Sequence, residues 1–240
     1  MAQPIYRHLL LVAYLLLSIV HLIAEQIQLE PLILCTKPLL MPLLMLWLWR
    51  QTQEHAGPVR NFLMLGLLFS CGGDTLLMFV EHGPQQQAFF LLGLGSFLLA
   101  QLCYVVAFVK YPRFKTGLVH DHPWLMLLFL GYWYWVLESL WEGIPGAMRL
   151  PVAIYALAIV AMAISALNMS GRVSGSVFGW LFFGVALFVL SDTLIAFNKF
   201  AEPIPYARFS IMTTYIAAQL LITWNAARAL EEEFKETEGS

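Results

Sequence analysis

Eight runs of about twenty predominantly apolar residues, separated by short polar punctuation, fill this 240-residue sequence. They fall at about 5–24, 31–49, 60–80, 88–109, 123–140, 147–167, 175–196 and 206–229. A hydrocarbon layer about 30 Å thick takes roughly 20 residues of helix to cross, and lipid offers the backbone no outside hydrogen-bond partner. The runs therefore predict an all-α polytopic bundle of eight transmembrane helices over residues 1–230. An acidic cytosolic tail over 231–240 then reads as a frayed, solvated helix end. Short connections make sequential helices antiparallel. Composition agrees where it decides the class: 12% of residues are charged, against ~25% in a soluble globule. With 13 basic and 15 acidic residues and no basic block, the chain offers nothing to nucleic acid.

Lys and Arg are distributed unevenly between the two sides. The N-terminus, the even-numbered loops and the tail hold nine: Arg7, Arg50, Arg60, Lys110, Arg113, Lys115, Arg172, Arg228 and Lys235. The opposite side holds Arg149, Lys199 and Arg208, with Lys37 a few residues inside the second helix. The positive-inside rule then places both termini in the cytosol. Arg7 precedes the first apolar run without a small-residue cleavage site after it, so the first helix is expected to be retained.

Two aspartates interrupt these helices, Asp74 in Ser-Cys-Gly-Gly-Asp-Thr-Leu-Leu and Asp192 in Val-Leu-Ser-Asp-Thr-Leu-Ile. A carboxylate at the centre of a membrane helix costs about 2.5 to 3.5 kcal/mol on insertion scales, so its retention points to use. On the orientation above, both lie in the outer half of the membrane. An internal repeat relates them: Asp74-Thr75-Leu76 recurs as Asp192-Thr193-Leu194 and Ala100-Gln101-Leu102 as Ala218-Gln219-Leu220, at an offset of 118. The same shift maps Gly66 onto Gly184 and Phe79 onto Phe197. Four helices per copy is an even number, so the copies would be parallel and related by an axis along the membrane normal, with the aspartates facing each other across it.

Two carboxyl groups in one low-dielectric pocket cannot both ionise cheaply, which leaves one acid and one carboxylate, an acid/base pair. The structural alternative is a buried Asp that bonds a helix N-terminus or a Thr and locks the bundle. Gly72 and Gly73 clear space beside Asp74 for a neighbouring backbone or a ligand. Lys37 sits shallowly enough to snorkel to the interface; alternatively Lys37 and Lys199 bind a phosphate or pair with the aspartates. Asn198, Tyr206 and Arg208 add polar groups at the same rim, and Gln101, Tyr104, Tyr215 and Gln219 place hydrogen-bonding groups inside the fourth and eighth helices, as ligands or as interhelical bonds.

Other motifs carry less. Cys35, Cys71 and Cys103 stand alone within apolar runs and read as small buried hydrophobes. His120-Asp121-His122 reads as a solvated cytosolic loop, and His21 as the one clearly intramembrane histidine, so a three-histidine zinc site has no ligands and neither metal nor cofactor is expected. The Gly-x-Gly-Asp pattern of intramembrane aspartyl proteases would need glycine at Cys71, and their Tyr-Asp partner would need tyrosine at Ser191.

Over nearly its whole length the chain resembles the lysoplasmalogenase family, the YhhN-like membrane proteins. The resemblance rests on Thr36-Lys37-Pro38-Leu39-Leu40, Gly73-Asp74, Ser191-Asp192 with Asn198-Lys199-Phe200, Pro-Ile-Pro-Tyr at 203–206, and Thr214-Tyr215 with Ala218-Gln219. One departure is Gln101, where family members often carry histidine. The resemblance implies about eight helices, residence in the endoplasmic reticulum in animals, a lysophospholipid substrate among membrane lipids, and hydrolysis of the vinyl-ether bond of lysoplasmalogens to a fatty aldehyde and glycerophosphoethanolamine or glycerophosphocholine. Asp74 and Asp192 would then protonate the alkene and orient water, with Lys37, Lys199 or Arg208 on the phosphate. One rival reading is a small-solute or proton-coupled transporter that uses the same carboxyl pair as a relay, and a second is a lipid-binding or scaffolding membrane protein with no turnover.

Overall fold

The computed structural model describes residues 3–54, 57–80, 85–111 and 116–238, with side chains described for 8–54, 57–80, 85–111 and 116–234. Of the cations counted above, Arg113 and Lys115 lie outside the described residues, as do the side chains of Arg7 and Lys235. Regular structure among the described residues is helical: α1 (Gln3–Gln26), α2 (Glu30–Gln51), α3 (Pro58–Met78), α4 (Gln86–Lys110), a single turn α5 (Leu118–Asp121), a 3-10 turn (Pro123–Leu125), α6 (Met126–Leu140), α7 (Gly146–Leu167), α8 (Gly175–Phe200) and α9 (Ala207–Glu238). Proline opens α2 at Pro31 and α3 at Pro58, where a missing N–H costs nothing. Gln28, at φ 54, ends α1 in the left-handed conformation, and Leu29 N–H reaches back to Ala24 C=O at 2.9 Å.

The chain is an all-α polytopic membrane bundle. Among the described residues, six helices are long and apolar enough to cross a membrane: His8–Gln26 of α1, then α2, α3, α4, α7 and α8. Eight were expected, and the two that fall short do so for different reasons. α6 has 15 residues, about 22 Å at 1.5 Å per residue, and the 3-10 turn before it adds about 6 Å. α9 is long enough, but Arg208, Thr213, Thr214, Gln219, Thr223, Asn225 and Arg228 make its first 24 residues less apolar than the other spans. It also passes residue 230 without a break, and Glu232 accepts from the Ser174 hydroxyl at 2.8 Å and its backbone N–H at 3.3 Å, an exposed contact that ties this turn to the start of α8.

The chain divides into two compact units, Met1–Tyr104 and Val105–Ser240. Within the first, α1 packs on α2, α2 on α3, and α3 closely on α4. Gly66 permits that last approach: a Cβ there would stand 2.8 Å from the Tyr104 ring. Within the second, α6 packs on α7, α7 on α8 and α8 extensively on α9. Here Gly184 does the same work, since its Cβ would stand 2.8 Å from Leu221 and 3.0 Å from the backbone of Ile222. The Gly66–Tyr104 and Gly184–Ile222 contacts lie 118 positions apart at both partners.

The loop side of the second unit is fixed by polar bonds to carbonyls that end helices. The Arg172 guanidinium donates to the carbonyls of Phe108, Val109 and Tyr111 at the end of α4. The Tyr111 hydroxyl donates to Ala226 C=O on α9. Burial, with Glu233 and Glu232 nearby, pushes the Tyr111 phenol well above its ordinary pKa, so it remains a donor. Asn168 Oδ1 accepts from Val119 N–H and His120 N–H at 3.1 Å each and so anchors α5, leaving the His120 and Asp121 side chains exposed.

Candidate functional site

In the first unit Asp74 sits on α3, 3% exposed. The space cleared by its glycines is filled from α4: a Cβ at Gly72 would meet Ser96 Oγ at 2.7 Å, and one at Gly73 would run into the Phe97 ring. Ser96 Oγ in turn donates to Phe69 C=O at 2.6 Å. The glycines therefore seat α4 side chains against the turn that carries Asp74. Tyr14 of α1 is within electrostatic reach of both Asp74 and Tyr104, and Cys71 is within reach of Asp74. Gln101 and Tyr104 are fully buried in α4. Lys37 is half-buried on α2, and among the described residues no carboxylate pairs with it.

Sequence reasoning missed a buried polar stripe on α1. Tyr14, Ser18, His21 and Glu25, spaced four, three and four residues apart, lie on one helix face and are all buried. His21 Nδ1 lies 2.8 Å from Thr36 Oγ1, whose own hydroxyl donates to Leu32 C=O at 2.7 Å. That fixes Nδ1 as the protonated nitrogen and turns Nε2 toward Glu25, 3.6 Å away. The spacing was the available signal.

In the second unit Asp192 sits on α8, 7% exposed. Tyr155 of α7 donates its hydroxyl to Asp192 Oδ2 at 2.9 Å. Tyr132 of α6 is also within electrostatic reach of Asp192, and its hydroxyl bonds Thr193 Oγ1. Because Thr193 donates its own proton to Val189 C=O at 2.6 Å, Tyr132 is the donor of that pair. Neither tyrosine was singled out from sequence, although Tyr132 lies 118 positions after Tyr14.

The remaining expected residues separate into two groups. Tyr215 is buried edge-to-face against Phe188 at 5.9 Å, and Gln219 is fully buried one turn on. At the rim, Asn198 Oδ1 accepts Ile204 N–H at 2.9 Å and pins the loop between α8 and α9. Tyr206 closes that loop at φ 56 with its side chain 74% exposed, away from the buried groups. Lys199 is exposed and Arg208 half-buried. Lys199 follows Asp192 by seven residues, two turns along the same face of α8.

One turn before Asp192 on α8 the second unit holds an apolar cavity of about 310 Å³, lined by Phe129 and Tyr132 of α6, Val160 and Ala163 of α7, and Val185 and Val189 of α8. Tyr132 lines this cavity and bonds Thr193, the residue that follows Asp192. Among the described residues, no cluster of three or more His, Cys, Asp or Glu could hold a metal ion.

The model of the YhhN family matches residues 32–226. Lysoplasmalogenase TMEM86B of Homo sapiens is 35% identical over 183 residues, covering 76% of this chain and 70% of that protein. Lysoplasmalogenase TMEM86A of Bos taurus is 32% identical over 203 residues, covering 80% and 77%. A lysoplasmalogenase of Mycobacterium tuberculosis is 30% identical over 170 residues, covering 70% and 60%. No solved structure matches the chain.

Proposed function

The chain belongs to the YhhN family, and from that premise we propose that it hydrolyses the vinyl-ether bond of lysoplasmalogens, releasing a fatty aldehyde and a glycerophosphoethanolamine or glycerophosphocholine. The observation that carries this reading is a buried aspartate in each unit with a tyrosine beside it, Tyr14 near Asp74 and Tyr132 with Tyr155 near Asp192. Matching contacts at Gly66 and Gly184 support a four-helix unit repeated along the chain. With α6 and α9 counted as spans the helices number eight, which puts both termini on one side; the Lys and Arg bias makes that side cytosolic, and the family resemblance favours the endoplasmic reticulum membrane.

Vinyl-ether cleavage makes a specific demand on such carboxyls. A carboxylic acid gives its proton to the alkene carbon, the C=C pair forms that C–H bond, and the ether oxygen shares the positive charge of the resulting oxocarbenium ion. A carboxylate takes a proton from water as the oxygen adds, which leaves a hemiacetal. The first group, now ionised, takes the hemiacetal hydroxyl proton while the second protonates the departing glycerol oxygen, so the C–O bond breaks and both groups return to their starting states. The division of labour is that of paired carboxyls in glycoside hydrolysis. We assign both carboxyls of the reaction to Asp74 and Asp192. Asp192, which accepts the Tyr155 hydroxyl, suits the base, and its ionised form also stabilises the cation.

Lys199 and Arg208 contact the phosphate from the loop side, with Lys37 as a further cation; Asn198 and Tyr206 shape that rim; Gln101, Tyr104, Tyr215 and Gln219 line or brace the buried end. The cycle needs neither metal nor cofactor.

The test is aldehyde release by the purified full chain from three substrates: a lysoplasmalogen, its acyl ester and its saturated alkyl ether. Release from the vinyl ether alone, undiminished by chelator, is expected. Cleavage of the ester at a similar rate, or net flux of solute into liposomes with no aldehyde, would overturn the assignment.

A further inference from the structure

The geometry points to the cavity between α6, α7 and α8 as the seat of a single hydrocarbon chain, entered sideways from the lipid past Leu128 and Ala186, with its polar end at Tyr132 and Asp192. This rests on the vinyl-ether reading for the identity of the lipid, but the seat itself is argued from the second unit alone.

Three observations carry it. The lining is apolar except for Tyr132, whose hydroxyl is already donated to Thr193, so the space offers no site to a polar solute and no set of partners to ordered water. The space is a cleft open on one side instead of a sealed void, so its occupant can enter from outside. At about 310 Å³ it sits at the small end of ligand pockets, which run from ~300 to 1,000 Å³, and holds one chain where a two-chain phospholipid would need more.

The mouth faces outward: Leu128 is 63% exposed and Ala186, with only a methyl group, is exposed opposite it. In a membrane helix bundle, that surface meets acyl chains. Val160 and Ala163 close the far wall and are buried.

The direction of the chain follows from α8. Phe182, Val185 and Val189 precede Asp192 by ten, seven and three residues, so they share its face. At 1.5 Å per residue the cavity side of that face runs about 15 Å below the aspartate. A chain lying there ends at the carboxyl, with its head group toward Lys199 on the opposite side.

The experiment uses the full-length protein in detergent with a saturated 1-O-alkyl lysophospholipid that carries a diazirine at its chain terminus, a probe that vinyl-ether chemistry cannot cleave. Irradiation is expected to label peptides containing Phe129, Val160 or Phe182, and excess unlabelled lysophospholipid of the same chain length should compete. Ala163→Phe fills the buried wall and Ala186→Phe the exposed mouth; each should reduce labelling at least tenfold, and Ala186→Phe, at a position with room to fold normally, should slow turnover of long-chain substrates at least tenfold more than short-chain ones. Labelling that maps outside these helices, or that stays within twofold of wild type in both variants, overturns the seat even where aldehyde release persists. Cavity labelling without aldehyde release from any vinyl ether upholds the seat and overturns the hydrolase assignment instead.

Discussion

Replacing Tyr155 by Phe removes one oxygen and leaves the ring in place on α7. The hydroxyl it deletes donates to Asp192 Oδ2 at 2.9 Å, and both residues are buried. A hydrogen bond to a charged group is worth about 1.5 to 3 kcal/mol. If that bond orients the carboxylate for the water-activating step, its loss falls on the transition state, and at 1.36 kcal/mol per decade kcat drops about 10- to 150-fold. KM should move little, because Tyr155 touches the aspartate and not the head group. Aldehyde release measured against substrate concentration separates the two parameters, and a thermal melt in detergent checks the fold. Turnover of Tyr155→Phe within twofold of wild type, beside an inactive Asp192→Asn, would refute the role given to this bond. A drop in kcat matched by a large fall in melting temperature would refute it as well, since the bond would then serve stability.

Asp74→Asn and Asp192→Asn should each abolish aldehyde release with the fold retained, and the double variant should be no worse than either alone, since groups that act as a unit are not additive; turnover near normal in either single variant would remove that aspartate from the reaction. His21→Ala leaves the Thr36 hydroxyl oxygen without its buried donor and should cost about 1 to 3 kcal/mol in a thermal melt. His21→Leu with Thr36→Val should recover most of that loss. Gly73→Ala drives a methyl group into the Phe97 ring and should cost about 1 to 3 kcal/mol, relieved by Phe97→Leu and measured by the same melts.

Helix positions were legible because the length of an apolar run carries them, and each of the eight runs coincides with a helix to within a few residues except at the tail of α9. There Glu232 also caps the start of α8 across 58 residues of sequence, a pairing no local charge pattern carries. The aspartates were legible as costly residues in apolar context. Their tyrosines were not, because a tyrosine in a membrane helix is ordinary until the neighbouring helix places a carboxyl at its hydroxyl. The polar cluster at 198–208 illustrates the opposite failure. Composition groups Asn198, Tyr206 and Arg208 together, but the left-handed turn at Tyr206 and the Asn198–Ile204 bond give them different tasks. Gly72 and Gly73 read correctly as a place of close approach; which element approaches, α4 through Ser96 and Phe97, is set by tertiary packing.

One face of α8 orders its residues as a lyso-lipid orders its parts. Phe182, Val185 and Val189 lie along the cavity, Asp192 one turn further, and Lys199 two turns beyond that, about 10 Å along the axis. On this argument the register of the carboxyl along the helix matters as much as its presence. Exchanging the two residues, Val189→Asp with Asp192→Val, keeps the composition and the helix face but moves the carboxyl about 4.5 Å along the axis, toward the chain and away from the Tyr155 hydroxyl. A misplacement of 1 Å can already cost a hundredfold in a positioned reaction, so the exchanged variant should release no measurable aldehyde while still binding the saturated alkyl lysophospholipid. Retention of a tenth of wild-type turnover would show that a buried acid anywhere on this face suffices, and the correspondence between helix register and lipid would fall with it.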